Sequence, residues 1–486
     1  MTVNPHPAAS ALGKRPMSIR SLDMPADLET PVTAFLKLRG HGAKILLESV
    51  ERGVQLGRYS FIGIAPDTKV TISTAGAAIE RPQGVSLIPA DVVRQDPLAC
   101  LKSLLGSYAP RDDQSLPPLL GGLVGYIGYD VVRSIERIPE LRPDNLGLPS
   151  AMLYLVETLL VFDHVQHRLR LITLSECDES DRAQARLESL AAALRKPLSH
   201  SPIRGVAAGV EPQSEFTKPA FCAAVERIKE YISAGEVYQL VLSRRLTGHT
   251  DADSFTIYRA LRMLNPSPYL FYLDFGDTKL IGSSPEALVT LSGREATVRP
   301  IAGTRPRGES AEEDHRMAAE LLSDEKERAE HVMLVDLGRN DLGRCCTVGS
   351  VRVSEFMEIE RFSHVMHMTS TVKGMLRDSL DQFDLFRAAF PAGTVTGAPK
   401  IRAMQLIEEL EMQQRGPYAG AVGYFSLSGD MDWCIAIRTI VMQGSLYHLQ
   451  AGAGIVADSV PEREFDETRH KLAALQRAIA AAEEGF

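Results

Sequence analysis

Residues 217–246, TKPAFCAAVERIKEYISAGEVYQLVLSRRL, predict a helix followed directly by a strand. From Phe221 to Ile232 the large apolar residues recur at intervals of four, three and four, which places them on one face of a helix. Thr217 is a suitable N-cap for this helix, and Gly235 is a residue type that commonly ends one. The alternating residues of Val237–Leu246 are typical of a strand.

The same patterns extend the prediction to the rest of the chain. Helical spacing recurs over Glu312–Leu337 and Arg463–Ala482, whereas Lys44–Leu47, Leu155–Phe162 and Leu169–Leu174 are strand-like. Strands outnumber helices, and the regular β-α-β alternation of a parallel sheet is missing. These observations predict an α+β fold built on antiparallel sheets.

Changes in composition predict the domain organisation. Residues 1–16 contain three prolines and no apolar core, so we expect a flexible tail there rather than a signal peptide. The segment Ser199–Ser214 is rich in residues that interrupt regular structure, and we expect it to link two parts of the chain, residues 17–200 and 215–480.

The overall composition excludes several classes of protein. The chain has 486 residues, of which 44% are hydrophobic and 24% charged, as in ordinary globular proteins. Its net charge of −9 gives no general attraction to nucleic acid or anionic lipid, and its apolar stretches are too short to span a membrane. Six scattered cysteines suggest neither a zinc site nor a disulfide framework. We therefore expect a cytoplasmic protein with no nucleic-acid or membrane partner.

Carboxylates on two predicted helices form the first candidate site. Glu327 and Glu330 are three residues apart and project from the same side of one helix. Glu464, Glu467 and Lys471 share a face of the last helix. Facing carboxylates would suit Mg²⁺, which prefers hard oxygen ligands and completes its shell with water and substrate. Alternatively, both sets are the solvated faces of surface helices.

Three loops or strands with closely spaced glycines are further candidates. Pro300–Gly308 carries two arginines and could bind an anion through guanidinium and backbone N–H groups, or it could be a structural turn. Gly393–Lys400 is not a nucleotide phosphate loop, because two residues separate its second glycine from the lysine. The glycines of Ala451–Val456 imply close approach of a ligand or another backbone.

Two single residues have two interpretations each. Glu286 follows a short apolar strand, where a desolvated carboxylate could work as a general acid or could cap a turn. His367 lies among apolar neighbours, as a buried structural histidine does, although a catalytic role is also open.

Taken together, these segments resemble the chorismate-utilising enzymes, and within them the large subunits of anthranilate synthases. The similarity covers residues 35–480 and depends on nine ordered motifs. They are Leu46–Ser49 with Gly57–Gly63, Asn265–Tyr269, Gly282–Glu286, Pro300–Gly308, Lys326–His331, Val365–His367, Gly393–Lys400 and Ala451–Pro461. The resemblance implies a sandwich-like core of antiparallel sheets with helices packed outside. Residues 17–200 would then be the regulatory, tryptophan-binding part, and residues 215–480 the chorismate-binding catalytic part.

The resemblance also implies a reaction. Such enzymes add ammonia at C2 of chorismate, displace the C4 hydroxyl and eliminate pyruvate to give anthranilate, the first committed step of tryptophan biosynthesis. They require Mg²⁺ and are inhibited by L-tryptophan. The chain contains no glutaminase nucleophile elbow, so ammonia would come from outside or from a separate glutamine amidotransferase small subunit in a hetero-oligomer.

The resemblance assigns roles to individual residues. Glu330 and Glu467 would bind Mg²⁺, with support from Glu327. Glu286 would protonate the leaving hydroxyl, and His367 would handle the C2 proton, with Thr304 as a further catalytic residue in the pocket. The implied substrate-binding residues are Gly303, Thr396, Tyr418, Arg438, Gly452, Gly454 and Lys471.

Two positions distinguish this chain from its relatives. Relatives that add water carry a lysine base where this chain has Gln239, which cannot deprotonate water. Aminodeoxychorismate synthases commonly carry a lysine where this chain has Ala302. Both differences favour anthranilate as the product. The alternatives are formation of aminodeoxychorismate or 2-amino-2-deoxyisochorismate, or a catalytically inactive tryptophan sensor.

The resemblance implies a second site away from the catalytic pocket. L-Tryptophan would be held by Glu48 and Ser49 together with Pro268, Tyr269 and Leu270. The alternative is that these segments only build an interface between the two parts of the chain.

Overall fold

The computed structural model describes residues 15–49, 57–110, 117–176, 179–198, 205–207, 209–361 and 365–485. Within these ranges, none of the helices is long and apolar enough to cross a membrane. The predicted tail, residues 1–16, lies outside the described residues up to position 14, and its last two residues already belong to the first strand.

The strands are numbered in chain order. They are β1 Arg15–Pro25, β2 Ala43–Glu48, β3 Tyr59–Ile64, β4 Thr68–Ser73, β5 Gly76–Arg81, β6 Gly84–Pro89, β7 Tyr108–Pro110, β8 Gly122–Ile127, β9 Ala151–Val156, β10 Thr158–Asp163, β11 Arg168–Glu176 and β12 Gln239–His249. They continue with β13 Tyr269–Asp274, β14 Thr278–Ser284, β15 Ala287–Ser292, β16 Glu295–Val298, β17 Ile301–Pro306, β18 Arg352–Arg361, β19 Val365–Met375, β20 Gly397–Ala398, β21 Ala421–Ser426, β22 Met431–Ile435, β23 Thr439–Gln443 and β24 Leu446–Ile455.

The helices are numbered in the same way. They are α1 Pro31–Arg39, α2 Ala90–Gln95, α3 Pro97–Gly106, α4 Ser180–Arg195, α5 Lys218–Ser233, α6 Ser254–Leu264, α7 Ala311–Ser323, α8 Glu325–Gly343, α9 Gln382–Ala389, α10 Lys400–Leu410 and α11 Pro461–Glu484. Two short 3₁₀ helices cover Tyr129–Ser134 and Gly393–Val395.

The strands form two twelve-stranded sheets. The first runs β20-β12-β24-β23-β14-β13-β2-β3-β10-β11-β1-β7, and the second runs β17-β19-β16-β15-β22-β21-β8-β9-β4-β5-β6 with β18 paired to β19. Neighbouring strands are antiparallel, apart from the short parallel pair of β1 and β7. The predicted α+β class with antiparallel sheets is confirmed.

Apolar layers hold the sheets and helices together, and a further apolar cluster packs α5 and α10 against β12 and β24. Between the sheets, Phe61 and Phe271 of the first meet Tyr126 and Tyr424 of the second. Helices α1, α4, α6 and α11 cover the outer face of the first sheet, and α2, α3, α8 and α9 cover that of the second. This is the sandwich with external helices that the sequence resemblance implied.

Both sheets contain strands from both parts of the chain. The predicted strand Leu155–Phe162 is in fact two strands, β9 in the second sheet and β10 in the first, with Glu157 between them. A single apolar run predicted one strand because its composition does not reveal that the chain passes from one sheet to the other. The division into a regulatory and a catalytic part stays a prediction. Strands from both parts belong to the same sandwich.

The predicted helix Glu312–Leu337 is also interrupted. Helices α7 and α8 are separated by Asp324, which has extended backbone angles and accepts hydrogen bonds from the N–H groups of Lys326 and Glu327. Asp324 therefore acts as an N-cap inside a continuous helical pattern, and it begins the helix that carries Glu327 and Glu330.

The quoted stretch 217–246 folds as predicted. Thr217 caps α5, whose residues Phe221, Val225 and Ile228 are buried, and β12 follows. The preceding linker is partly outside the described residues, but Val206 bonds to the end of α11 and Gln213 pairs with Thr247 of β12. This described part of the linker lies against the fold.

A buried arginine joins the elements under the later site. The guanidinium of Arg415, whose side chain is 1% exposed, donates to the Glu411 carboxylate at 2.6 Å and to the carbonyls of Val395 and Val241 at 2.6 and 2.8 Å. Glu411 in turn accepts from both the N–H and the hydroxyl of Ser243, each at 2.8 Å. The pair thereby connects α10, β12 and the 3₁₀ turn before β20.

Replacing Arg415 tests this connection. Arg415→Met should lower the free energy of unfolding in urea by about 3–5 kcal/mol, because it leaves Glu411 charged and buried without its partner. Arg339→Met is the matched control, since Arg339 pairs with Asp336 on the exposed surface of α8 and should cost about 0–1 kcal/mol. Equal losses in the two variants would contradict the connecting role of Arg415.

Candidate active site

The candidate site lies where α8 and α11 meet strands β12, β17 and β24. The side-chain amide of Gln239 in β12 donates to Glu330 of α8 at 2.9 Å. The ammonium group of Lys471 in α11 donates to the carbonyl of Gly452 in β24 at 2.8 Å. The acidic sides of α8 and α11 therefore face one site. This arrangement is the one that a metal site between the helices requires, whereas two separate, solvated helix surfaces would not need it.

Each predicted metal ligand has a partner within the protein. Arg305 contacts Glu327 at 3.2 Å, Gln239 contacts Glu330, and Lys471 contacts Glu467 at 2.7 Å. The Lys471–Glu467 pair is nearly half exposed on both sides, so it contributes little stability and can exchange partners readily.

These carboxylates also repel one another. Burial raises the pKa of Glu327, and the charge of Glu330 adds to the shift despite the opposing Arg305. Burial likewise raises the pKa of Glu464, to which the charge of Glu467 contributes. In the described ranges, no set of three or more carboxylates, imidazoles or thiols is close enough to hold one metal ion. The donors present are hard oxygens that suit Mg²⁺, with water or substrate supplying the remaining ligands.

Glu286 lies at the end of β14, beside two cationic side chains. Burial raises the pKa of Glu286 to about 7, against the opposing effects of the neighbouring Thr394 hydroxyl and of Lys471 and Arg438. Its carboxyl is therefore substantially protonated near neutral pH, as a general acid must be. The alternative role of capping a turn is not supported, because Ser284 bonds to the backbone of this turn instead.

His367 lies in β19 opposite a bulge in β17. Its Nδ1 is 2.9 Å from the carbonyl of Gly303 and 3.1 Å from the hydroxyl of Thr304. A carbonyl partner fixes the proton on Nδ1 and makes Nε2 the basic nitrogen. Burial lowers the pKa of His367, and the nearby Arg438 lowers it further. The ring is therefore neutral at pH 7 and able to accept a proton.

Two glycines of β24 make room for polar side chains. A Cβ atom on Gly452 would lie 2.9 Å from the Tyr418 hydroxyl, and one on Gly454 would lie 2.7 Å from the Gln239 amide nitrogen. The sequence predicted that a ligand or another backbone comes close to Ala451–Val456. In the structure, the side chains of Tyr418 and Gln239 come close to the backbone of this strand. This arrangement brings Tyr418, Gln239 and Lys471 to one strand.

The segment Gly393–Lys400 contains three residues that bear on the site: Thr394, Thr396 and Lys400. The Thr396 hydroxyl donates to the carbonyl of Ala392 at 3.0 Å, and the side chain is fully buried. A substrate contact for Thr396 stays a prediction. Thr394, which the sequence interpretation missed, is the residue beside Glu286. The ammonium group of Lys400 contacts the carboxylate of Asp341 in α8 at 2.9 Å.

The arginines of Pro300–Gly308 are engaged by carboxylates. Besides Glu327, Arg305 contacts Glu320 and Asp324, at 3.1 and 2.9 Å. Arg307 contacts Asp314 at 2.7 Å. These guanidinium groups position the loop and α8, and Arg438 and Lys471 are the cations near Glu286.

The predicted tryptophan residues come together on neighbouring strands. Glu48 of β2 is opposite Leu270 of β13, and its carboxylate accepts from Arg262 at 2.9 and 3.1 Å. The hydroxyl of Ser49 is buried with no hydrogen-bond partner among the described residues. Such an unmet polar group suits a small polar ligand.

A carboxylate that the sequence interpretation missed adjoins this second site. The Tyr269 hydroxyl donates to Asp432 of β22 at 3.1 Å, and burial raises the pKa of Asp432 to about 6. Because β13 and β22 belong to different sheets, this hydrogen bond crosses the sandwich. No local pattern in the sequence could have indicated a contact between residues 163 positions apart.

Comparison with known proteins adds independent findings. The sequence profile of the family described as chorismate binding enzyme matches residues 51–477. Anthranilate synthase component 1 of Thermus thermophilus is 47% identical over 464 residues, which cover 95% of this chain and 97% of that protein. The same component from Pseudomonas putida is 46% identical over 488 residues, covering 98% and 97%. The crystal structure of anthranilate synthase component I from Streptococcus pneumoniae has a TM-score of 0.78 and 36% identity, and the similarity covers 93% of this chain and 99% of that one.

Gly303 allows a test of the site's backbone. Its φ of +64° is unfavourable for other residues, and a Cβ atom there would lie 2.7 Å from Leu321 and 3.1 Å from the Glu327 carboxylate. Gly303→Ala should therefore lower stability by more than the roughly 1–2 kcal/mol that this backbone conformation costs alanine. Gly293→Ala is the matched control, because Gly293 has φ +57° and no atom within 4 Å of the added carbon. Equal shifts of the thermal unfolding midpoint would contradict the close packing at Gly303.

Proposed function

The chain belongs to the chorismate-binding enzyme family, and we propose that it forms anthranilate and pyruvate from chorismate and ammonia as the synthase subunit of an anthranilate synthase. The observation that carries the proposal is the arrangement of an acid, Glu286, and a base, His367, on either side of one cation, Arg438, with Lys471 also near Glu286. The near full-length similarity to proteins named anthranilate synthase component 1 supports this reaction over other reactions of chorismate.

Binding of the substrate requires local positive charge. Chorismate is a dicarboxylate, and this chain has a net charge of −9. Arg438 with Tyr418 would hold the enolpyruvyl carboxylate, and Lys471 with the N–H groups of Gly452 and Gly454 would hold the ring carboxylate. The exposed Lys471–Glu467 pair supports this assignment, since a substrate carboxylate can replace Glu467 as the partner of Lys471.

Mg²⁺ would be held by Glu330 and Glu467, with Glu327 nearby. The ion would supply positive charge that turns the repulsion between these carboxylates and the substrate into attraction and orients the ring. Gln239 holds the carboxylate of Glu330 in place, and Arg305 holds that of Glu327. Thr304 is exposed and lies beside His367. Thr304 and Gly303 are uncharged, so they do not alter the charge of the proposed metal site.

The first chemical step needs a proton at the C4 hydroxyl. Glu286 donates it while ammonia forms a bond at C2, the two ring double bonds shift and the C4–O bond breaks, so that water leaves. The pKa of about 7 at Glu286 supports this role, because the carboxyl is protonated often enough at neutral pH to act as an acid.

The second step removes pyruvate. The neutral His367 accepts the C2 proton through Nε2, the C3–O bond breaks with its electrons going to the departing enolpyruvate, and the ring becomes aromatic. The CH2 carbon of the enolpyruvate then takes up one proton, so that pyruvate is released and His367 is neutral again. The bond from Nδ1 to the Gly303 carbonyl fixes the ring orientation for this transfer.

The choice of nucleophile and product is supported by two residues. Gln239 carries no basic group, and its amide is engaged with Glu330, so it cannot activate water. Ala302 supplies neither a charge nor a nucleophile on β17. Ala302 disfavours aminodeoxychorismate formation, and the presence of the acid, the base and the cations disfavours a catalytically inactive sensor.

Ammonia would reach the site from a glutamine amidotransferase subunit, and L-tryptophan would inhibit from the second site. The unpartnered hydroxyl of Ser49 and the Asp432 carboxylate beside Tyr269 are polar groups that could bind the amino and carboxyl groups of an amino acid. Binding there would change the contact between the two sheets and so the shape of the catalytic pocket.

Glu330→Gln tests the reaction and its metal dependence together. At millimolar Mg²⁺, anthranilate fluorescence from chorismate and ammonium should fall at least about 100-fold, because one of the two main ligands loses its charge. Calorimetric titration should show weaker Mg²⁺ binding in the same variant. Glu325→Gln, an exposed change on the same helix, is the control and should keep both properties. Full activity of Glu330→Gln would show that the metal site is elsewhere.

Ser49→Ala tests the inhibitor site. Loss of the hydroxyl should raise the tryptophan concentration for half-inhibition roughly tenfold, the worth of one buried hydrogen bond. The uninhibited rate should stay the same. Ser233→Ala, on the exposed end of α5, should leave inhibition unaltered. Unaltered inhibition in Ser49→Ala, or an unaltered protein that tryptophan does not inhibit, would contradict the site.

A further inference from the structure

A small cavity adjoins Glu286. Its volume is about 30 Å³, and its walls are formed by α8, by strands β15 and β16 and by the segment 389–394. A cavity of this size has room for about two water molecules. Arg438 and Lys471, which mark the substrate pocket, do not line it. Glu286 therefore separates the substrate pocket from a second space.

The cavity leads from Glu286 toward the outside. Arg299, Leu337 and Ala392 line it and are also partly exposed on the protein surface. Leu334 and Gly338, deeper in the wall, are buried. The outer end of the cavity therefore lies near the protein surface, whereas the carboxyl of Glu286 lies at its buried end.

Thr394 is a polar residue of this cavity whose hydroxyl could form a hydrogen bond with a water molecule. Arg299 pairs with Glu360 at 3.1 Å, and Asp341 pairs with Lys400 at 2.9 Å. The Thr394 hydroxyl is buried, lies beside the Glu286 carboxyl and has no hydrogen-bond partner of good geometry among the described residues. A hydroxyl that can both donate and accept suits a relay between a water molecule and a carboxyl.

We propose that Thr394 and this cavity form a path for water and protons to Glu286. This inference depends on the proposed function, because the path is needed only if Glu286 acts as the acid. In each turnover Glu286 loses a proton to the C4 oxygen, which leaves with the C–O bonding electrons as water, while ammonia supplies the new pair at C2. The aminated product later releases the extra proton from its nitrogen. A proton must return to the Glu286 carboxylate, and the water formed must leave. Thr394 is thus a positioning residue for the acid.

Thr394→Val tests the relay, because valine keeps the shape and removes the hydroxyl. Formation of anthranilate from chorismate and ammonium should show a kcat at least about tenfold lower, with KM for chorismate nearly unaltered. Pyruvate release from supplied 2-amino-2-deoxyisochorismate should keep its rate, because that step uses His367. Thr394→Ser, which restores the hydroxyl, should recover most of the activity.

Ala392→Leu tests the cavity independently of Thr394. The larger side chain should fill the outer end and reduce kcat for the first step alone. Val332→Leu, on the exposed face of α8 and outside the cavity, is the control.

Each contrary result has a distinct meaning. A wild-type kcat in Thr394→Val, equal losses in both steps, or no recovery in Thr394→Ser would overturn the relay. A wild-type kcat in Ala392→Leu would overturn the path through the cavity. If the unaltered protein made no anthranilate, the proposed function itself would fail and this inference with it, whereas an active protein with unaffected variants would overturn the inference alone.

Discussion

The buried pair of Arg415 and Glu411 is the interaction on which the site depends. A charge removed from water is tolerated only when its hydrogen-bonding groups are matched, and here the donors and acceptors come from three different elements. The guanidinium also lies 5.6 Å from the ring centre of Tyr418 and 4.8 Å from that of Tyr129. The positions of β12, of the turn before Thr396 and of Tyr418 are therefore set together, and these elements supply one wall of the pocket.

The other side of the pocket is formed by charged side chains, and its negative charges are only partly balanced by positive ones. The acidic residues of α8 and α11 face each other, and Arg305, Gln239 and Lys471 offset part of their repulsion. The wall around Arg415 and the charged side chains of α8 and α11 have different roles. In the proposed reaction, the wall would fix where the substrate lies, and the charged side chains would allow the site to bind first a cation and then a dianion.

Sequence patterns predicted the secondary-structure elements better than the connections between them. The apolar spacing of α5 and the alternation of β12 report on one face of one element, and both predictions hold. The break at Asp324 was missed although its signal is local, since the aspartate caps the helix that follows it. The passage between sheets at Glu157 was missed because it depends on pairing with strands that are distant in sequence. Thr394 and Asp432 were missed for the same reason. Their significance comes from neighbours more than a hundred positions away.

The mixing of both chain parts in both sheets has a consequence for control of the site. Ser283 of β14 accepts a hydrogen bond from Asn265, which precedes the predicted tryptophan residues, and its N–H donates to the carbonyl of Arg438. Arg438 has a positive φ of 48°, so its backbone is held in place by its surroundings rather than by its own preference. A ligand that moved the Asn265 segment would act on this constrained residue through two hydrogen bonds. Coupling between the two sites then needs no movement of separate domains, because one strand of a shared sheet reaches both.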